Sequence, residues 1–273
     1  MTATVELSPP RPRLLVAAAL VPLVMLGVVL AAVLFLVAGI WGLLAGLIIT
    51  VGVVALRARA LTTGIRRRVL ASLDPRPADA ATESRLVNLA DGLSATSGVP
   101  VPDLFVLDDP GANMLVVGEA SATPALVVTS GLLGAVDRIQ LEAVVAWAFA
   151  ELRQGELPAA SVAVTTVARS AITLAGGGPG ALAVRPFSGL FAAGYAYVAD
   201  PDRDLLLDQA AAALTRYPPG LLSALDRMAQ VGTTVARARP ESAHLWMADP
   251  GVAVPGMPPR PPLELRVEAL RLL

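Results

Sequence analysis

The chain has no cysteine and no lysine, only one histidine, and only 4% aromatic residues over its 273 positions. Without cysteine there are no disulfides, thiolate metal sites or cysteine nucleophiles. Without lysine there is no amine to act as Schiff base or general base, and arginine carries essentially all the positive charge. Charge of either sign is scarce: charged residues make up 16% against 55% hydrophobic, and the formal net charge is −1. Such a balance offers no basic surplus to a nucleic-acid partner. The high apolar content points to a membrane portion. Arginine-only cations together with abundant Ala, Gly, Pro and Val also fit a GC-rich bacterial coding bias.

What the chain does have begins with a long uncharged run. No charged residue lies between Arg13 and Arg57, so Leu14–Leu56 is about twice the ~20 residues that one helix needs to cross a bilayer. Gly39, Trp41 and Gly42 sit near its middle. The expectation is a transmembrane hairpin over 14–56, with spans at about 14–37 and 42–56 and Trp41 at headgroup level. A cleaved signal peptide has an apolar core of only ~7–15 residues and does not fit this run. Arg11 and Arg13 precede it, and Arg57, Arg59, Arg66, Arg67 and Arg68 crowd its exit. Basic residues next to membrane ends stay on the cytoplasmic side, so both termini and the main domain are expected in the cytoplasm. Contact with anionic headgroups accounts for the arginine cluster.

Residues 1–13 read as a cytoplasmic tail, 57–82 as a basic, Pro-rich linker, and 83–273 as the main domain. Thr82 is the expected N-cap of a helix over 83–97, with Leu86, Leu89, Ala90 and Leu93 on one face and Gly98 closing it. "DLFVLDD", "NMLVVGE" and "ALVVTSG" read as short strands of a small sheet. A helix follows over about 135–155, containing "QLEAVVAWAFAELRQGEL". Residues 159–175 are apolar but interrupted by Arg169, and 187–199 are too short to span; both read as buried or membrane-surface helices. Glycines 176–178 lack the context of a phosphate loop and read as a connection. Helices are expected at 201–216 and 218–231, and the tail "PPRPPLELRVEALRLL" ends as a short amphipathic helix.

The succession "GVPVPDLFVLDDPGANMLVVG", "ALVVTSGLL", "QLEAVVAWAFAELRQGE", "DLLLDQAAAALTRYPPGLLSALDRM", "SAHLWMADP" and "RPPLELRVEAL" resembles the M48 family of membrane-anchored zinc metallopeptidases, the group of HtpX and Ste24. The resemblance covers about 83–273. It implies an α+β, mainly helical zincin-like domain with a small β-sheet behind a two-helix membrane anchor, placed in the cell (inner) membrane. It also implies zinc, held by an H-E-x-x-H helix and a later glutamate four residues before an aspartate.

Aligned on Ala146, Ala150, Arg153 and Gly155, the first histidine of that motif falls on Trp147, its glutamate on Ala148 and its second histidine on Glu151. The later pair falls on Asp204 and Asp208. A histidine that often precedes the tail prolines is replaced by Arg260, and His244 matches a position that is no zinc ligand. An indole nitrogen has no lone pair for a metal, and Ala148 removes the general base. Two carboxylates with no nitrogen ligand favour hard cations over zinc.

The expectation is therefore a non-catalytic binding, scaffold or regulatory protein with no cofactor, whose partners are the lipid bilayer and another membrane protein or a peptide. Peptide binding would use strand edges near 112–130. The alternative is a hydrolase with a site rebuilt around Glu151, Asp204 and Asp208, with or without a divalent cation. Simpler roles stand beside these. Trp147, on one face with Ala143, Val144 and Ala150, packs the core. Glu151 is solvated or pairs with Arg153 or Arg203. Asp200, Asp202 and Asp204 form a solvated helix start. His244 is structural.

Overall fold

The uncharged N-terminal run forms helix α1, Pro12–Thr62, in a computed structural model that describes residues 12–155, 157–178, 181, 182, 185, 188, 200–257 and 259–272. Its helical geometry breaks once, at Ala38 (φ −128, ψ 15) and Gly39 (φ 59, ψ −141), the latter in a region open to glycine. A Cβ at Gly27 would lie 2.2 Å from the Thr50 side chain, and one at Gly46 would lie 2.6 Å from the Ala31 Cα. Small residues thus let the stretches before and after Gly39 lie directly against each other.

The stretch expected as a linker is more ordered than that. Residues 57–62 continue α1, and α2 (Ile65–Leu73) buries Ile65, Val69 and Leu73 at i, i+4 and i+8. β1 (Arg76–Pro77) follows, then α3 (Ser84–Ser97), whose apolar face is as the spacing predicts and whose end is Gly98 at φ 73. Thr82 is not its N-cap. Glu83 holds that position, while the Thr82 hydroxyl donates to Asp79, because the turn before the helix is organised around Asp79 and Glu83.

β2 (Asp103–Leu107), β3 (Met114–Glu119) and β4 (Ala122–Thr129) complete a four-stranded mixed sheet in the order β1-β2-β4-β3. β2 runs parallel to β4, with Phe105 opposite Val127, and β3 runs antiparallel to β4, with Met114 opposite Val128. Both faces are covered, so the strands read as continuous apolar runs. Val106, Met114, Val116, Leu126 and Val128 face a core shared with α3 and the helix over Arg138–Arg153. Leu107, Leu115, Val117, Ala125 and Val127 face one shared with α2, the helix over Leu157–Gly176 and Trp246.

The turn after β4 is α4 (Ser130–Ala135), and α5 (Arg138–Arg153) starts three residues later than the spacing predicts. Its start is set by a capping box: Gln140 donates its backbone N–H to Asp137 at 2.8 Å, and Asp137 donates its own to the Gln140 side chain at 2.9 Å. α6 (Leu157–Gly176) is long and apolar enough to cross a membrane, yet most of it is buried against β3, α1 and a 3-10 turn at Pro240–Leu245. Gly177 and Gly178, both at positive φ, lead out of it. The 187–199 segment lies almost wholly outside the described residues. α7 (Pro201–Thr215), α8 (Pro218–Val231) and α9 (Leu263–Arg271) close the domain, and α5 packs between α3, α7 and α8.

Candidate functional site

α5 is buried on all sides over its second half. Residues Ala143 to Glu151 are each buried, which marks a central core helix and not a surface one. Trp147 is 1% exposed and belongs to the main core cluster, where its ring fills the space between α5 and its neighbours. Its indole Nε1 is buried and meets no hydrogen-bond acceptor among the described residues. One turn further along the same face lies Glu151, also buried.

α7 crosses α5 here. Pro201 stands at its start and Asp200 caps it, its carboxylate accepting the Asp202 N–H at 3.0 Å. Asp204 and Asp208, one turn apart, point inward and are buried. Asp204 is therefore no part of a solvated helix start, as its neighbours suggested; only Asp202 of the following first turn stays exposed.

Each of the three inward carboxylates meets one arginine. Arg203 Nη2 donates to Glu151 at 2.6 Å. Arg260 donates to Asp204 through Nη2 and to the His244 carbonyl through Nη1, the latter at 2.7 Å. Arg266 donates to both oxygens of Asp208, at 2.8 and 2.5 Å, and to the Met247 carbonyl at 2.6 Å. The result is a ladder of three ion pairs that ties α5 to α7 and α7 to the C-terminal segment. Arginine suits this task because its planar fork stays protonated and matches a carboxylate with two parallel bonds. The Asp208 charge and hydrogen bonds hold Arg266 above its ordinary value, although burial works against it.

Of the residues predicted for the site, Trp147, Ala148, Glu151, Asp204 and Asp208 are all buried in this region, on α5 and α7. Arg203, one of two arginines offered to Glu151, is its partner. His244 contributes its main-chain carbonyl to Arg260. Arg266 was missed, although a signal existed: Leu263, Arg266, Val267 and Leu270 fall at i, i+3, i+4 and i+7, so one arginine interrupts the apolar stripe of the tail helix.

The residues at the positions that the family resemblance gives to zinc do not fit that metal. Trp147 offers a donor, Ala148 offers nothing, and the oxygens of Glu151 and Asp204 already accept from guanidinium groups. Among the described residues no group of three or more His, Asp or Glu side chains is placed to hold a metal ion.

The sheet edge expected to take a peptide is also engaged. The outer edge of β3 receives the chain's own C-terminal region: Met247 N–H donates to the Met114 carbonyl at 2.8 Å, beside a bridge between Leu115 and Trp246. Further along, Gly118 N–H donates to the Ser161 hydroxyl at 3.0 Å. These contacts occupy the two ends of the Met114–Gly118 edge, where an added strand would otherwise pair.

A long apolar N-terminal helix thus precedes a mainly helical domain with a small mixed sheet, in which α5 and α7 bring the motif positions together. No protein-family model matches the chain. It is 29% identical over 210 residues to a Protease HtpX homolog of Dictyoglomus thermophilum, covering 69% of each chain. It is 28% identical to one of Tropheryma whipplei (68% of this chain, 72% of the relative), and 27% identical over 270 residues to one of Streptococcus pneumoniae, covering 87% and 88%. These similarities to HtpX homologues agree with the resemblance to the M48 peptidases.

Proposed function

We propose that this protein is a membrane-anchored M48 peptidase-like protein that has exchanged its metal chemistry for structure, and that acts by binding, as a scaffold or regulator. The observation that carries this reading is the ion-pair ladder. Glu151, Asp204 and Asp208 are each neutralised by an arginine, and two of those arginines, Arg260 and Arg266, come from the C-terminal segment. A rebuilt hydrolytic site around the same three carboxylates would need them free to bind a cation or to move protons. In this arrangement each already accepts a charge-assisted hydrogen bond. A partner, whether another membrane protein or a peptide, would then engage outer surfaces and not the filled space beside Trp147.

The two halves of α1 about Gly39 form the membrane hairpin in this reading, and the arginines beyond Leu56 keep both termini and the domain in the cytoplasm, at the inner membrane of the cell. The close approach of Gly27 to Thr50 and of Gly46 to Ala31 supports two antiparallel spans.

Elemental analysis and a peptidase assay on the purified full chain test the catalytic half of the proposal. The expected result is no stoichiometric zinc and no cleavage of a casein substrate. Stoichiometric metal, or cleavage that disappears in Glu151→Ala, overturns it in favour of a rebuilt hydrolase.

A further inference from the structure

α2 begins three residues after α1 ends, and its inner face meets α6 and the 3-10 turn around a cleft of about 340 Å³. Three arginines from three separate elements line it: Arg68 of α2, Arg169 of α6, and Arg239, which precedes the 3-10 turn. Their side chains make no ion pair or hydrogen bond among the described residues. Glu241 also lines the cleft, and no ion pair joins it to any of the three. The Ser72, Thr165 and Ser242 hydroxyls at the cleft already donate to backbone carbonyls in their own turns. Three arginines face two carboxylates, Glu241 in the cleft and Glu119 near Arg68, so one positive charge is left over. Burial pushes the Arg68 guanidinium below its ordinary value, and the nearby Arg169 charge pushes it the same way. Like charges brought together and left unpaired in a concave site are an arrangement that an anion stabilises.

A second, apolar cleft of about 530 Å³ lies further along α6, lined by Val16, Leu20, Thr62, Pro158 and Val162. Pro158, Val162, Thr165 and Arg169 are spaced i, i+4, i+7 and i+11, so a single stripe of α6 runs from the apolar cleft into the arginine cleft. Thr62 and Ile65 mark the same transition on the opposite wall. Val16 and Leu20 lie near the start of α1 and Thr62 at its end, which places the apolar cleft at the domain end of the paired halves.

We infer that Arg68, Arg169 and Arg239 form a binding site for a phosphate group, with the second cleft accepting an apolar chain attached to it. The inference rests on the membrane-anchored reading above for its position at headgroup level. Arginine forks bind phosphate oxygens in pairs, and their convergence from α2, α6 and the 3-10 turn would make the ligand a clasp between anchor and domain. A phospholipid headgroup and free phosphate share this chemistry; the apolar extension distinguishes them.

The test uses the full chain in detergent, with native mass spectrometry against phosphatidylglycerol, phosphatidylcholine and inorganic phosphate. Wild type is expected to retain phosphatidylglycerol at one copy in preference to phosphatidylcholine. Arg68→Gln/Arg169→Gln/Arg239→Gln should weaken that retention at least about tenfold, and Arg67→Gln, an exposed neighbour outside the cleft, should leave it unchanged. Competition by inorganic phosphate at equal concentration would support the phosphate site with a soluble ligand as its source. Equal retention by wild type and the triple variant, or an equal loss in Arg67→Gln, overturns the site. Carbonate extraction of membranes is run in parallel: a chain released by carbonate that still binds phosphate defeats the membrane reading alone, while an integral chain with no arginine-dependent binding defeats this inference alone.

Discussion

Arg266 Nε and Nη2 reach the two oxygens of Asp208 at 2.8 and 2.5 Å, and neither side chain has any exposed surface. A fully buried pair of this kind gains little over an apolar pair of the same size, because both charges lose their water. Loss of one member is another matter, since the other is left charged in the core. Arg266→Ala should therefore destabilise the domain by about 3–5 kcal/mol, while Arg266→Met combined with Asp208→Leu should recover most of that. Thermal unfolding of the full chain in detergent, compared across the three proteins, measures the difference. A double variant as unstable as the single one would show that the tie to the Met247 carbonyl, and not charge balance, is what matters.

Restoring the zinc motif on α5 alone should fail. Trp147→His/Ala148→Glu/Glu151→His supplies two nitrogens and a base, but it leaves Asp204 still in the hold of Arg260. Adding Arg260→His releases Asp204. Zinc content by elemental analysis should remain well below one per chain in the triple variant and rise toward one in the quadruple variant. Full occupancy in the triple variant would mean that the Arg260 pair is no obstacle.

Membrane topology is open to a clean labelling experiment because the chain has no cysteine. Trp41→Cys, beside the Gly39 break, is expected to react with a membrane-impermeant maleimide in intact cells with the outer layers made permeable. Ala95→Cys, exposed on α3, should react only after the inner membrane is opened. The reverse pattern would invert the orientation read from the arginines.

Acid should weaken the turn before α3. Arg76 donates to Glu83 at 2.5 Å and holds its carboxyl below the usual glutamate range, with help from the Asp79 N–H. A carboxylate depressed in the folded state contributes stability that is present above its unfolded value, about 4.3, and is lost as pH falls through the folded value. Arg76→Gln returns Glu83 toward its ordinary value, so acid unfolding followed by circular dichroism should begin at a higher pH. Arg76 is half exposed, and the shift should shrink in high salt.

Much of the fold was legible because each signal was local. The uncharged run, the apolar spacing of α3, the Gly98 stop and the three strands each depend on residues a few positions apart. The extent of α2 and the cap of α3 were not legible. Ile65, Val69 and Leu73 become a helix face only when β3 and α6 are there to cover them, and Thr82 lost the cap to Glu83 through contacts with Asp79 and Arg76. The strand edge was also beyond local reading, since Met247 lies more than a hundred residues from the Met114 carbonyl that it engages.

The amino-acid sequence by itself determined which chemistry these positions can carry: with Trp147, Ala148 and Glu151 on the helix there are no imidazole ligands, whatever the fold does with them. Tertiary structure decided what became of the remaining charges. Glu151, Asp204 and Asp208 are far apart in the chain from Arg260 and Arg266, and only the packing of α7 against α5 and of α9 against α7 brings each carboxylate to its guanidinium. Burial then imposes the pairing, because an ionised group in the core is tolerated only with a counter-charge and hydrogen bonds beside it.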